Sequence, residues 1–124
     1  MAVDPYVLTY SPAQQGSGFD VMLLSFGPMA NGDTGQPAQF PAWADCSWQV
    51  TGTFGAGGNV AVEGSNDGVN YETLNDPFGV ALNFSAAALK QCTEHAQYLR
   101  PHVTAGDGTT AVMVTALFRR QPKT

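Results

Sequence analysis

Four carboxylates crowd one short stretch of the chain: Glu63, Asp67, Glu72 and Asp76 all fall within the run VEGSNDGVNYETLND. Two carboxyl groups held at a fixed separation across a cleft can work as acid and base on a glycosidic bond. The run has a simpler account. Ser65, Asn66 and Asp67 lead into Gly68, and side chains of these types bond to nearby backbone amides and shape turns. Glu63 and Glu72 then read as outward-facing residues on the flanking segments, and Asp67 and Asp76 as turn formers. The imidazoles are His95, beside Glu94, and His102, which alternates with Arg100. Neither has a nucleophile elbow or comparable context that would build a triad, so both read as solvated polar side chains.

Metal and phosphate chemistry find little support. Asn31, Asp33 and Gln36 offer oxygen ligands, but their spacing does not match a calcium-binding EF-hand loop. Cys46 and Cys92 are far apart, and the two cysteines and two histidines show neither CxxC nor HxxxH spacing, so no zinc signature is present. They read as two buried reduced thiols, with a disulfide as the alternative. Gly55 to Gly58 is not followed by Lys-Ser/Thr and leads into a strand, so it is a turn and not a phosphate cradle. No catalytic, metal or cofactor-binding residue is assigned, no cofactor is expected, and the chain reads as a non-enzyme.

The 124 residues suit one domain around one core. Charged residues make up 12% of the chain, about half the usual share. Ser, Thr, Asn, Gln and Gly therefore cover much of the surface, as in assembly proteins whose surfaces become buried by partners. The net charge is −5, with five Lys and Arg in total, too few for the basic footprint that nucleic-acid binding requires. Arg119, Arg120 and Lys123 form a short basic tail. No stretch has the roughly 20 apolar residues of a membrane span, and MAVDPYVLTY has no secretory-signal pattern.

The elements follow from periodicity and turn chemistry. Tyr6 to Tyr10 predicts an edge strand, and 11 to 18 a loop or arm. Phe19 to Phe26 predicts a strand ended by Gly27-Pro28, because proline cannot donate to a ladder. Met29 to Ala42 predicts a long irregular loop of the kind that often carries function. From Trp43 to Phe54, Cys46, Trp48 and Val50 alternate with Ser47, Gln49 and Thr51, which predicts a strand with one core face and one wet face. Val60 to Gly64 and Val69 to Leu74 predict a β-hairpin about Asp67-Gly68. A short strand is expected over Val80 to Phe84. Ser85 then caps a short helical turn through Gln91, favoured by three alanines. Gln97 to Thr104 carries Pro101 and predicts an edge or bulged strand. Asp107-Gly108 predicts a second hairpin turn, and Thr109 to Phe118 a central strand. About eight strands with one helical turn give an all-β sandwich, jelly-roll-like or immunoglobulin-like. Residues 1–18 form a strand and arm, 19–120 the sandwich and 121–124 a tail.

Two runs carry a resemblance. Val60-Ala61-Val62-Glu63-Gly64-Ser65-Asn66-Asp67-Gly68-Val69-Asn70-Tyr71 resembles a V-x-L/V-E-G-S-N-D-G-x-N/T-W/Y pattern of small β-sandwich structural proteins of tailed bacteriophages. Tyr98 to Thr110, YLRPHVTAGDGTT, is similar to an R-P-x-V-x-x-G-D-G-T-T segment of the same group. The likeness covers the C-terminal half and builds turns, not a ligand site; an E-G-S-x-D-G phrase also occurs in carbohydrate-binding sandwiches. It implies a jelly-roll-like capsid decoration, or cement, protein on the exterior of the virion, made in the host cytoplasm. Its implied partners are the major capsid protein and further copies of itself as a dimer or trimer, with no direct nucleic-acid or membrane contact. Candidate contact residues are Tyr6 and Tyr10 on the N-terminal strand, Met29, Asn31 and Phe40 in the long loop, Trp43, and Arg119 and Arg120 at the tail. The alternatives are a carbohydrate-binding module stacking sugars on Trp43, Tyr71 or Tyr98, and a tail or head–tail connector subunit that assembles into rings.

Overall fold

A computed structural model describes residues 2–10, 21–39, 45–92, 94 and 96–119, with backbone alone for 9, 10 and 45. Eleven strands are present among them: β1 Val3–Asp4, β2 Tyr6–Tyr10, β3 Val21–Met29, β4 Thr34–Gly35, β5 Asp45–Thr53, β6 Asn59–Ser65, β7 Glu72–Thr73, β8 Asn83–Phe84, β9 Ala88–Cys92, β10 Tyr98–Ala105 and β11 Ala111–Arg119. They form two sheets. Sheet A has the order β1-β4-β10-β6-β7, with β8 also paired to β6; sheet B has the order β2-β3-β11-β5-β9. One core lies between them, including Met22, Leu24 and Phe26 from β3, Trp48 and Val50 from β5, Val60 and Val62 from β6, and Val112, Val114, Ala116 and Phe118 from β11. The all-β sandwich expected from the sequence is what forms; the two sheet orders do not by themselves establish a jelly roll.

From β3 onward the chain passes repeatedly between sheets. Asp107-Gly108 therefore does not join a hairpin: β10 belongs to sheet A and β11 to sheet B. The turn is an arch, and it lies beside a second arch, 54–58, between β5 and β6. Asp107 fastens the two together. Its Oδ2 accepts the Ala56 amide at 2.8 Å and its Oδ1 accepts the Thr109 amide at 2.8 Å. Thr110 completes the fastening by donating from its hydroxyl to the Phe54 carbonyl at 2.8 Å.

Further sequence expectations are corrected. First, Gly27-Pro28 does not end β3, which runs on to Met29. The register against β11 shifts between Val112, opposite Met29, and Val114, opposite Phe26. Gly27 and Pro28 thus face the single residue Met113 in a bulge, a place where a missing donor is tolerated. Second, 86–91 is not a helical turn. Residues 85–87 bend, and Ala88–Cys92 pairs with β5 at the sheet edge. Pairing across the sheet outweighs the helix propensity of three alanines. Third, the segment Met29 to Ala42 is not wholly irregular, because β4 pairs with both β1 and β10 and Ala38 bridges Leu99. Pro101 lies inside β10, not on an edge strand, and the irregularity of that strand falls between Val103 and Ala105. Leu99 and Val103 bond to Ala38 and Asp33. By strand alternation, the flank of Pro101 that lacks an N–H faces the same side, between those two attachments.

Candidate functional site

The polar cluster with most chemical potential lies on the outer face of sheet A. β6 and β10 pair with Glu63 opposite Arg100 and Ala61 opposite His102. Arg100 and His102 are two residues apart on one strand, so they share a face. Glu63 sits between them. Its Oε1 accepts the Arg100 Nε–H at 3.0 Å, and its Oε2 lies 2.9 Å from His102 Nδ1. The Arg100 guanidinium lies 3.7 Å from the centre of the Tyr71 ring, a cation–π contact. Burial raises the Tyr71 phenol above its usual pKa, with the Arg100 charge opposing. Glu63 was expected to face outward into water. It does face outward, but its side chain keeps only 11% of its surface exposed. His102, expected as a solvated side chain, is instead half-covered and bonded to this carboxylate.

A carboxylate on Nδ1 can orient an imidazole and leave Nε2 for proton transfer or a metal. The nearby hydroxyl does not complete a nucleophilic set: Ser65 Oγ donates to Asp67 Oδ1 at 2.9 Å and accepts the Gly68 amide at 2.9 Å. Among the described residues no group of three or more His, Cys, Asp or Glu is placed to hold a metal ion. The cluster's evident work is to join β6, β10 and the 66–71 connection on a face that water reaches only in part. Glu63→Gln removes the negative charge while keeping the shape. It is expected to lower the unfolding free energy by about 1–3 kcal/mol, read as a lower urea midpoint.

The turn below this cluster behaves as its residue types predict. Asp67 Oδ1 accepts the amides of Val69 and Asn70, both at 2.8 Å, and Asn70 Nδ2 donates to Asp67 Oδ2 at 2.8 Å. These donors, the Asn70 amide foremost, hold the Asp67 carboxyl well below the usual carboxylate range. The connection spans 66–71 before β7 begins, longer than a two-residue Asp-Gly hairpin loop. The acidic run of the sequence is thus dispersed: Glu63 is an ion-pair centre, Asp67 a turn brace, Glu72 an exposed strand residue and Asp76 the brace of the next turn. Asp76 Oδ1 accepts the Phe78 and Val80 amides, each at 2.9 Å. That turn presents Phe78 almost entirely to solvent, 91% exposed.

A second titratable pair ties β1 to β4. Asp33 accepts the Ala2 amide through Oδ1 and the Ala30 amide through Oδ2, both at 3.0 Å. Asp4 lies against it, and burial followed by the Asp33 carboxyl raises the Asp4 pKa to about 6. At Asp33 burial opposes charge, but the Ala30 amide, the Asp4 side chain and the Ala2 amide outweigh it and lower its pKa. Below about pH 6 the pair therefore holds one proton, on Asp4. Because folding raises the Asp4 pKa, the Asp4 contribution is full below about pH 4 and is lost as pH rises through about 6, whereas that of Asp33, whose pKa is lowered, is lost as pH falls. The Thr34 and Gln36 amides, bonded to the Ala2 and Asp4 carbonyls, report the Asp4 contribution. Their exchange protection, corrected for intrinsic rates, is expected to fall across that window, and Asp4→Asn to flatten the dependence.

The outer face of sheet B is of a different kind. One row across all five strands runs Val7, Ser25, Thr115, Gln49 and Leu89; a neighbouring row runs Leu23, Leu117, Ser47 and Gln91. Met113 and Thr51 pair beyond them. No side chain in these rows is charged, and Val7, Leu89, Met113 and Leu117 are exposed. Lys90 points the other way from its neighbours Leu89 and Gln91. It lies 5.0 Å from the Phe84 ring centre and donates to the Asn83 carbonyl at 2.8 Å, closing the side of the sandwich between the two sheets.

Among the described residues, the predicted contact residues do not gather into one patch: Tyr6 and Arg119 lie against opposite ends of β3. Met29 is a correction: it is fully buried in the core, because the strand continues past Pro28 and turns its side chain inward. Tyr6 is half-buried on β2 with its ring edge-on to Phe26, centroids 5.7 Å apart. Asn31 is exposed in a turn, and Arg119 is exposed at the end of β11. The Tyr10 side chain and Phe40, Trp43, Arg120 and His95 lie outside the described residues, as does the 11–18 arm. No family model matches the chain, and no curated protein or solved structure shows a significant match.

Proposed function

We propose that this chain is a structural virion protein that decorates and braces a capsid by docking on the lattice of the major capsid protein. The observation that carries this reading is the set of uncharged rows on the outer face of sheet B, Val7 to Leu89 and Leu23 to Gln91, with Arg119 at one end of that face. Five strands present Val, Leu, Met, Ser, Thr and Gln in these rows, so burying the rows themselves against a partner desolvates no ion. From Val114 to Arg119 the central strand β11 keeps unbroken register with both β3 and β5, which limits the ordering cost of docking. Bracing needs no more than this: contacts that must break before the shell opens. The likeness of the 60–71 and 98–110 runs to phage sandwich proteins supports the same reading, and the exposed Phe78 turn supplies a second, smaller anchor. The carbohydrate-binding alternative is less favoured, because Tyr71 carries the Arg100 guanidinium and the Tyr98 ring lies against Gly68.

Shells assembled from a major capsid protein of a tailed bacteriophage test the proposal. The wild-type chain is expected to co-sediment with them. Thr115→Lys, which sets one charge at the centre of the face, is expected to weaken binding by roughly 10–100-fold while leaving thermal stability nearly unchanged. Failure of the wild-type chain to bind, or equal binding by the variant, overturns the assignment of this face. A closed ring of the chain alone in native mass spectrometry would favour the connector alternative.

A further inference from the structure

We infer that Cys46 and Cys92 are a dithiol that closes to a disulfide when the folded chain meets a small-molecule disulfide such as oxidised glutathione, fastening the edge strand β9 to β5. The chain has two cysteines, and the fold sets them directly opposite each other in the antiparallel β5/β9 register. Both side chains are buried, so both point to the core side of the sheet. Opposed residues in an antiparallel pair have Cα atoms about 4.5 or 5.5 Å apart, and both values lie within the range that a disulfide bridges, about 4.4–6.8 Å. The sulfurs are already in one another's surroundings. Cys46 Sγ donates to the Cys92 carbonyl at 3.5 Å, and Cys92 Sγ donates to the Glu94 carbonyl at 3.2 Å.

The two thiols are not equivalent. A hydrogen bond from the Cys46 side chain, against burial, lowers the Cys92 pKa from its usual value, which favours Cys92 as the attacking thiolate. Cys92 is also the last residue of a five-residue edge strand, and no strand pairs beyond it among the described residues. Fraying of β9 is the route by which a reagent reaches it.

The chemistry balances in two exchanges. Cys92 thiolate attacks one sulfur of oxidised glutathione, forms a mixed disulfide and expels one glutathione thiolate. Cys46, losing its proton to solvent, then attacks the Cys92 sulfur and expels the second. Two protein thiols are oxidised, one small disulfide is reduced, and two glutathione thiols leave. This chemistry is set by strand register and does not depend on what the outer face of sheet B docks against.

The test treats the folded, reduced full chain with oxidised glutathione under native conditions. The expected product is a monomer lighter by two hydrogens, with no thiol titratable after unfolding and no persistent glutathione adduct. Its melting temperature is expected to rise on the order of 10 °C, since the link closes a long loop, and to return on reduction. Trp48 Nε1 donates to Cys46 Sγ at 3.3 Å, so its emission should change with closure. Cys92→Ser is expected to show neither gain; if that variant fails to fold, the oxidised and reduced wild-type chains supply the comparison alone. Two outcomes overturn the inference. One is that the folded chain keeps both thiols over a period in which the urea-unfolded chain loses them. The other is that the disulfides formed link separate chains.

Discussion

Trp48→Ala is expected to remove about 3–5 kcal/mol of unfolding free energy, a large part of the roughly 5–15 kcal/mol typical of a domain. The magnitude follows from where the indole lies. Trp48 is fully buried, and opposite it on the central strand stands Ala116, which offers only a methyl group. The indole reaches past that methyl to Phe26 on β3, one strand farther, stacking at 6.3 Å with an interplanar angle of 21°. Phe118 meets it edge-on at 6.0 Å, and Tyr6 continues the series against Phe26. One side chain thus couples strands that share no ladder. Its removal leaves a cavity walled in part by rings on two different strands, Phe26 on β3 and Phe118 on β11, which cannot both collapse inward together. The check is urea unfolding with an unchanged slope and a lower midpoint. Trp48→Phe keeps most of the contact and is expected to cost about 1–2 kcal/mol.

Gly52→Ala is expected to cost on the order of 3 kcal/mol for the opposite reason, an atom too many. Gly52 holds φ at +103°, a conformation that side-chain-bearing residues rarely adopt. A Cβ there would stand 2.6 Å from the Ala111 carbonyl oxygen and 3.2 Å from Val112 Cα. These are backbone atoms of the central strand of sheet B, and they cannot retreat without opening a ladder. On the other flank Gly27 holds φ at +118°, and a Cβ on it would stand 2.6 Å from the Val112 carbonyl oxygen. The start of β11 is thus gripped between two glycines, beside the bulge that admits Pro28. Gly27→Ala is expected to resemble Gly52→Ala. The double variant is expected to depart from additivity, because both substitutions displace the same few atoms. Equal stability of wild type and Gly52→Ala in urea would contradict this picture.

How far the sequence foretold these features depends on the range of the interaction that sets each. The strand over Cys46–Val50 was legible, because one face of it packs on a core and the other meets water, so burial alternates residue by residue. The Ser65–Asp67 turn was legible for a similar reason: its hydrogen bonds join residues two or three positions apart. The segment 85–91 misled, because its alanines advertise a helix while a strand forty residues earlier supplies the pairing that decides it. Turn chemistry also failed to separate a hairpin from an arch. Asp107 and Gly108 reverse the chain in either case, and only the sheet to which β11 belongs distinguishes them. Glu63 was misjudged because its partners arrive from β10. Its one visible signal was to be the sole charge in Asn59–Ser65, a strand whose residues are nearly all buried. An acid in such a setting calls for a cation, and Arg100 was the available one. The face of sheet B was invisible as a unit, since its rows are assembled by register from five separate segments.

The placement of β10 and β11 bears on how the molecule comes into being. These strands are the last two described in chain order, yet each sits inside its sheet, β10 between β4 and β6, and β11 between β3 and β5. As the polypeptide leaves the ribosome, β3 and β5 have no common partner until Ala111–Arg119 follows them. Met22, Leu24, Phe26 and Trp48 therefore wait uncovered while the rest is translated. β2 with β3 and β5 with β9 can pair beforehand, but the parts of sheet B are joined only when β11 arrives. Completion of the sandwich is therefore expected late in synthesis, after both central strands are available.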